Sequence, residues 1–385
     1  MTAVPARASA QERERMVELF VCLCEIESPS LEERAMADAV AAELRDIGLE
    51  VEEDASAPET GSNAGNLLAR LPGPPGAPTV LLCAHLDTVP LEGPVEVERR
   101  DGVLVNRHDA ILGADNKAAV AVILAAVRRV VADGGAPVGL ELLFTTCEER
   151  ALAGAKAVDR AGLDADLGFV FDHASPIGEV VLAAPTYFRI EARFHGRAAH
   201  ASIRPEHGRS AIAAAAASID ALRLGRLDPE TTANVGRIDG GSAANVVPER
   251  CRVELEARSL DHHRAGALAS EMVDALTAGA GDHECDVDTG VEELFRGYRV
   301  TRGSPPVRAA AAALEEQGIE VTPIATGGGS DANVLNAAGL PTVNLANGTE
   351  RNHEPEEQVT VDALERMLDV CLSILARSAD GAGAS

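Results

Sequence analysis

The chain is 385 residues long, with 61 Asp and Glu against 34 Lys and Arg and a net charge of −27. At roughly 150 residues per domain this length predicts two domains, three at most, and a hydrophobic content of 46% supplies them with cores. The acidity excludes nucleic acid and anionic membrane surfaces as partners, because phosphates are repelled, and 2% aromatic residues with no Trp leave no base-stacking platform. Most carboxylates read as solvated surface, with a few available as oxygen ligands for a metal.

In chain order, the spacing of Met16, Leu19, Phe20, Leu23 and Ile26 predicts a helix over Ala10–Ile26. Ser30 with Glu33 predicts a capping box opening a second helix, ended by Gly48. Strand-like runs follow at Leu49–Val51, Asn66–Leu71 and Thr79–Cys83, with a turn over Pro72–Pro78. A strongly apolar helix covers Ala118–Val131, and buried strands cover Gly139–Thr145 and Leu167–Phe171. This alternation predicts an α/β layer with a largely parallel sheet.

The style changes near Ala183. Thr186–Phe194, Thr231–Ile238, Val247–Ala257 and Glu284–Glu292 read as strands, and Gly208–Leu222 and Asp261–Leu276 as helices. Their order, β-α-β-β-α-β, is that of a ferredoxin-like unit. From Ser304 the first style returns, with a helix, a strand at Ile319–Thr322, a Gly-rich loop, a strand at Pro341–Leu345 and a helix from Thr360. The expected organisation is a discontinuous domain, 1–183 and 299–385, holding an inserted one, 184–298. The seven cysteines (Cys22, Cys24, Cys83, Cys147, Cys251, Cys285 and Cys371) are odd in number and irregularly spaced, which suits reduced, buried thiols in a cytoplasmic protein. Neither a leader pattern nor an apolar run of about 18 residues predicts a membrane span. Thr2–Ala10 and Ala379–Ser385 read as loose tails.

Polar residues stand where apolar runs stop, and ligands of α/β sheets gather beyond the carboxyl ends of strands. Val80–Ala84 ends at His85-Leu86-Asp87; His85 can ligate a metal, and Asp87 can hold its other ring nitrogen. Leu142–Cys147 leads into Glu148-Glu149, two carboxylates that repel unless something positive is near. Leu167–Phe171 leads into Asp172-His173, Asp115 starts an apolar helix, and His353 comes late in the chain. Singly, each reads as an N-cap or a polar strand end. Together, His and carboxylates without thiolates suit zinc in a hydrolytic site, with cobalt or manganese as alternatives.

These motifs resemble the di-zinc exopeptidase family that includes the tripeptide aminopeptidase (peptidase T), glutamate carboxypeptidase and succinyl-diaminopimelate desuccinylase. The likeness rests on His85-Leu86-Asp87, Gly113-Ala114-Asp115-Asn116-Lys117, Thr145–Glu149 with Gly154-Ala155-Lys156, Phe171-Asp172 and His353. A peptidase T flavour comes from Gly196–Ala201, Thr231–Gly236, Glu256–Ser259 and Gly327–Asn333. The chain departs from the pattern at Asn116, where many relatives carry Asp, and at Glu354-Pro355-Glu356-Glu357, where the nearest relatives carry Thr just after the His.

The resemblance implies two divalent metal ions, one held by His85 and Asp172, the other by Glu149 and His353, with Asp115 bridging beside a cis peptide. It implies Glu148 as general base and Asp87 as the residue orienting His85. It also implies that His200, on a lid and dimerisation domain, stabilises the oxyanion in the partner subunit's site, with Asn245, Arg258 and backbone N–H groups of Gly328 and Gly329 contacting substrate. The expected protein is a homodimeric aminopeptidase on short peptides. A deacylase of N-acyl amino acids or a carboxypeptidase on the same scaffold is the alternative, and a non-catalytic binding or assembly relative is the alternative of another class.

Overall fold

The computed structural model describes residues 7–379. The chain divides into two compact units; the first runs to Leu182 and resumes over Val300–Ala325 and from Ser330, and the second comprises Ala183–Arg299 with Thr326–Gly329. The first unit begins with α1 (Ala10–Cys24), α2 (Arg34–Ile47), β1 (Val51–Glu53), α3 (Ala57–Thr60), β2 (Leu67–Leu71) and β3 (Thr79–His85). It continues with β4 (Val97–Arg100), β5 (Val103–Asn106), α4 (Ala114–Ala132), β6 (Gly139–Thr145), α5 (Ala153–Ala157), β7 (Leu167–His173) and β8 (Glu179–Ala184). The second unit holds β9 (Thr186–His195), α6 (Ala211–Asp220), β10 (Gly225–Asp228), β11 (Thr231–Gly240), β12 (Arg250–Ser259), α7 (His262–Asp282), β13 (Asp286–Phe295) and β14 (Tyr298–Arg299). The chain returns with α8 (Pro305–Glu316), β15 (Thr322–Ala325), α9 (Asp331–Ala337), β16 (Thr342–Ala346), β17 (Thr349–Glu350), β18 (Gln358–Thr360) and α10 (Val361–Ser378).

The first unit is built on a mixed sheet in the order β1-β2-β6-β3-β7-β16-β8, with β15 also on β8. Its centre, β6-β3-β7-β16, is parallel throughout. Every residue of β6 is buried, and all of β3 after Thr79, as continuous apolar runs require when helices cover both faces. Helix α4 packs on β3, with α1 and α10 against α4. Its Ala and Val residues from Ala118 to Val130 form the middle of the main core. Among the described residues no helix is long and apolar enough to cross a membrane.

A small antiparallel sheet, β17-β18-β5-β4, belongs to the same unit. It carries the residues on either side of two loops: β5 precedes the turn at Gly113–Asp115, and β17 and β18 flank residues 351–357. The second unit has an antiparallel sheet in the order β10-β11-β12-β9-β13. Without the edge strand β10 this is the 2-3-1-4 order of a βαββαβ unit. Helices α6 and α7 pack on it, and Ile190, Phe194, Val253, Leu268, Met272 and Leu276 form a separate core.

Several expectations need correction. Ser30 and Glu33 do not make a capping box; α2 starts at Arg34, Glu33 is its N-cap residue and no side chain caps it. Both side chains have buried partners elsewhere: Ser30 Oγ donates to Asp87 Oδ2 at 2.6 Å, and Glu33 accepts from Ser62 Oγ and the Cys147 N–H. The N-terminal tail is shorter than expected, since Ala8 N–H donates to Asp369 and Ser9 caps α1. The remaining predicted tail residues, 2–6 and 380–385, lie outside the described residues. The hairpin β4–β5 was not anticipated, although Asp101-Gly102 between two β-rich runs is a turn signal. All seven cysteines are free, and Cys22 is exposed rather than buried.

Close packing at Gly154 is testable. A Cβ there would stand 2.0 Å from the Thr146 carbonyl oxygen and 2.7 Å from Asn66 Oδ1. Gly154→Ala should therefore cost about 1–3 kcal/mol or more in urea unfolding. Gly266→Ala, on α7 with nothing nearer than Phe188 at 3.9 Å, should instead stabilise by up to about 1 kcal/mol. Equal effects would show that the contact at residue 154 is relieved at no cost.

Candidate metal centre

The parallel register aligns the carboxyl ends of the central strands. His85 pairs with Thr145 across β3 and β6, and Cys83 pairs with Val170 across β3 and β7. Three strand exits thus deliver His85, the Glu148-Glu149 turn and Asp172 to one edge. Asp115 enters from the kinked start of α4, where the Asp115–Asn116 peptide is cis. His353 comes from the loop between β17 and β18.

His85 Nδ1 lies 2.9 Å from the backbone carbonyl of Asp87. A carbonyl only accepts, so the proton is on Nδ1 and Nε2 faces the site as a potential ligand. His85 Nε2 is 3.3 Å from Asp115 Oδ1 and 3.6 Å from Asp172 Oδ1. On the other side, His353 Nε2 is 3.3 Å from Asp115 Oδ2 and 2.7 Å from Glu149 Oε1. Asp115 therefore points one carboxylate oxygen at each imidazole. His85, Glu148 and Asp172 offer ligand atoms within 4.8 Å of one another, as do His85, Asp115 and Glu149.

The Asp87 carboxylate holds the glutamate turn. Its Oδ1 accepts the Glu148 N–H at 2.9 Å, and its Oδ2 accepts the Glu149 N–H at 3.2 Å. Glu33 accepts the preceding N–H, of Cys147, at 3.0 Å. Two buried carboxylates thus fix three successive amides of the turn that presents the adjacent glutamates. Asn344 clasps Asp172 similarly, accepting its N–H at 2.9 Å and donating to its carbonyl at 3.0 Å.

The electrostatics are those of a cation trap. Burial, then the Asp172 charge, push Glu148 well above the ordinary carboxylate range. Burial and Asp115 do the same to Asp172. Burial would raise Asp115 too, but the facing imidazoles of His353 and His85 hold it below that range. Hydrogen bonds to Asp115 and Glu149 lift His353 to about 10. A cluster that grips protons so tightly offers the same lone pairs to divalent cations. Asp115 Oδ1 is also buried without a hydrogen-bond partner, an expensive state that a bound cation would end. The donor set, imidazole nitrogens and carboxylate oxygens without thiolate, fits zinc, cobalt or manganese.

The other expected site residues lie in the second unit. His200 is exposed and forms a β-bridge with Val246, which puts it beside Asn245, also exposed. Its Nδ1 accepts the Ser202 N–H at 3.3 Å, which leaves Nε2 as the N–H donor of the neutral ring. Arg258 stacks over Tyr187 with its guanidinium carbon 4.0 Å from the ring centroid. It also donates to the Gly327 carbonyl and pairs with Glu256 at 3.2 Å each. The Gly328 N–H is spent on Thr326 Oγ1, and a Cβ on Gly329 would collide with the Phe295 ring at 2.4 Å. That glycine thus answers a packing demand.

Sequence reading missed the supports: Ser30, Glu33, Asn344 and Glu357. Glu357 is 1% exposed and accepts the N–H of Gly113 at 2.7 Å and of Asp115 at 2.9 Å. Burial lifts its carboxyl to about 7, against the lowering effect of these amides. Its one sequence signal was proximity to His353.

The sequence profile of peptidase family M20/M25/M40 matches residues 81–377. The crystal structure of aminopeptidase PepT from Bacillus cereus is 36% identical, with a TM-score of 0.87 over 95% of this chain and 99% of that one. A tripeptidase from Staphylococcus aureus is 31% identical, with a TM-score of 0.91 over 96% and 99%. The Bacillus subtilis protein YqjE, of no stated function, is 33% identical over 95% of this chain and 98% of its own length.

Holding the glutamate turn by a carboxylate has a measurable cost when one acceptor is removed. Asp87→Asn replaces an oxygen by a nitrogen that cannot accept the Glu148 or Glu149 N–H. The variant should lose about 1–3 kcal/mol in urea unfolding. Parental stability would show that the turn does not depend on this carboxylate.

Proposed function

The chain belongs to peptidase family M20/M25/M40, and on that premise we propose that it is a two-metal aminopeptidase releasing the N-terminal residue of short peptides. The observation that carries the metal part is Asp115, with one carboxylate oxygen toward His85 and the other toward His353. The aminopeptidase part is supported by the two solved relatives above 30% identity, an aminopeptidase PepT and a tripeptidase. Zinc is the preferred ion by donor type, with cobalt or manganese able to replace it.

In this reading His85, Asp172 and Asp115 would hold one ion, and Glu149, His353 and Asp115 would hold the other. The pair would supply Lewis acidity, lowering the pKa of a water and polarising the scissile carbonyl. Glu148 sits next to a ligand without being one, and it is the general base. Its carboxylate takes a proton as water oxygen bonds to the carbonyl carbon, and returns it to the departing nitrogen as the C–N bond breaks.

The reading also includes a homodimer through the second unit, in which His200 of the partner subunit meets the developing oxyanion. Its exposure and its Nε2 donor support that task. Arg258, held by Tyr187 and Glu256, and Asn245 are the substrate contacts. The free thiols support a reducing, cytoplasmic setting.

Two outcomes test the assignment. Glu148→Ala should keep its metal and lose about 10²–10⁴-fold in kcat, whereas Glu149→Ala should lose one metal equivalent by elemental analysis. Equal metal content in the two variants would reverse or erase the division of roles. Against a panel of free tripeptides and N-acetyl or N-succinyl amino acids, the protein should cleave the tripeptides from the amino end. Hydrolysis confined to the acylated compounds would make it a deacylase instead.

A further inference from the structure

Glu357 stands four residues after His353, on the same loop between β17 and β18. The two residues reach the same target from opposite ends. His353 Nε2 meets the Asp115 carboxylate at 3.3 Å. Glu357 Oε1 accepts the Asp115 N–H at 2.9 Å, while its Oε2 accepts the Gly113 N–H at 2.7 Å. We propose that Glu357 is a positioning residue for the shared ligand, a carboxylate clamp that sets the Asp115 side chain between the two ion positions. This deepens the two-metal reading and rests on it.

Four observations make the clamp specific. Asp115 and Asn116 have non-helical backbone angles at the start of α4, so the N–H groups of Gly113 and Asp115 need partners from outside the helix. One planar carboxylate spans both, and each of its oxygens is committed. Glu357 is 1% exposed, so water cannot take its place. Lys117, itself buried, lies beneath the same turn, its Nζ donating to the Ile26 carbonyl at 2.6 Å and standing 3.5 Å from where a Gly113 Cβ would be. A buried cation under the turn offsets the gathering of Glu357 and Asp115 carboxylates above it. The small sheet fixes the geometry, because β18, directly after Glu357, pairs with β5, which leads into Gly113.

A ligand whose backbone is held at both 113 and 115 keeps its carboxylate aimed at both imidazoles at once. Loosening that hold should weaken both ion positions together, unlike loss of His353, which removes a ligand from one. Glu357→Gln keeps the length and shape but replaces one acceptor by a donor. Cobalt(II) binding to the full-length protein, followed by visible absorption and by competition with a chelator, reads the effect without turnover. E357Q should bind both cobalt equivalents about 10–100-fold more weakly with an altered spectrum. It should also lower kcat on a tripeptide while leaving KM within about twofold of the parent.

Wild-type cobalt affinity and spectrum in E357Q would overturn the clamp while leaving the two-metal reading intact. A wild-type protein that binds no cobalt would overturn that reading and the clamp with it. If E357Q does not fold, Glu357→Asp carries the test: both oxygens remain but the arm is shorter, and the same joint weakening is expected. Weakening of one equivalent alone in either variant would also overturn the proposal, since it would place Glu357 at one ion position rather than at the shared ligand.

Discussion

Asp115, Glu148, Glu149 and Asp172 bring four carboxylates to the edge of four parallel strands, with two imidazoles between them. Two unit charges 4 Å apart repel by about 4 kcal/mol at an effective dielectric constant of about 20. Without compensation the strand exits would splay or the acids would stay protonated. The raised proton affinities of Glu148 and Asp172 come first from burial and then from that repulsion. Divalent cations relieve it more completely, because one ion accepts lone pairs from several carboxylates at once.

Compensation by ions still needs a rigid frame, since a metal site tolerates little error in ligand position. The frame works through main chain. Asp87 and Glu33 hold three consecutive amides of the glutamate turn. Asn344 brackets Asp172 through both its backbone groups, and Glu357 holds Gly113 and Asp115. The side chains of the cluster are thus left free for ligands while their backbones are tied.

The residues of the cluster and their supports differ in how legible they were. His85, Glu148, Glu149 and Asp172 stood out because each interrupts an apolar run at a strand end, a local pattern. The supports have no local pattern. Glu357 and Gly113 are 244 residues apart, and nothing near either names the other. Ser30 and Glu33 misled because a capping box and a pair of buried long-range acceptors use the same letters. Tertiary demand won there: the hydroxyl gained a charged partner in Asp87, worth more than a neutral cap. The βαββαβ order was legible from alternation. The small sheet was not, because β17 and β18 are two and three residues long and carry no periodicity.

The acidity of the chain divides by the kind of partner each acid has. On the second unit, exposed acids face arginines across strands, as in Arg189–Glu292 and Arg252–Glu191. Such pairs cancel charge locally and contribute little stability. In the first unit Glu141 and Asp369 likewise pair with Arg70 and Arg13, but the buried acids around the candidate ligands take neutral donors: N–H groups for Glu357, N–H groups and a hydroxyl for Asp87 and Glu33, a hydroxyl and a thiol for Asp331. Neutral donors satisfy the lone pairs without removing the charge. An arginine in any of these places would satisfy hydrogen bonding equally well but cancel the field that draws cations to the strand ends. The choice of amide and hydroxyl partners therefore keeps the interior negative where the candidate ligands converge.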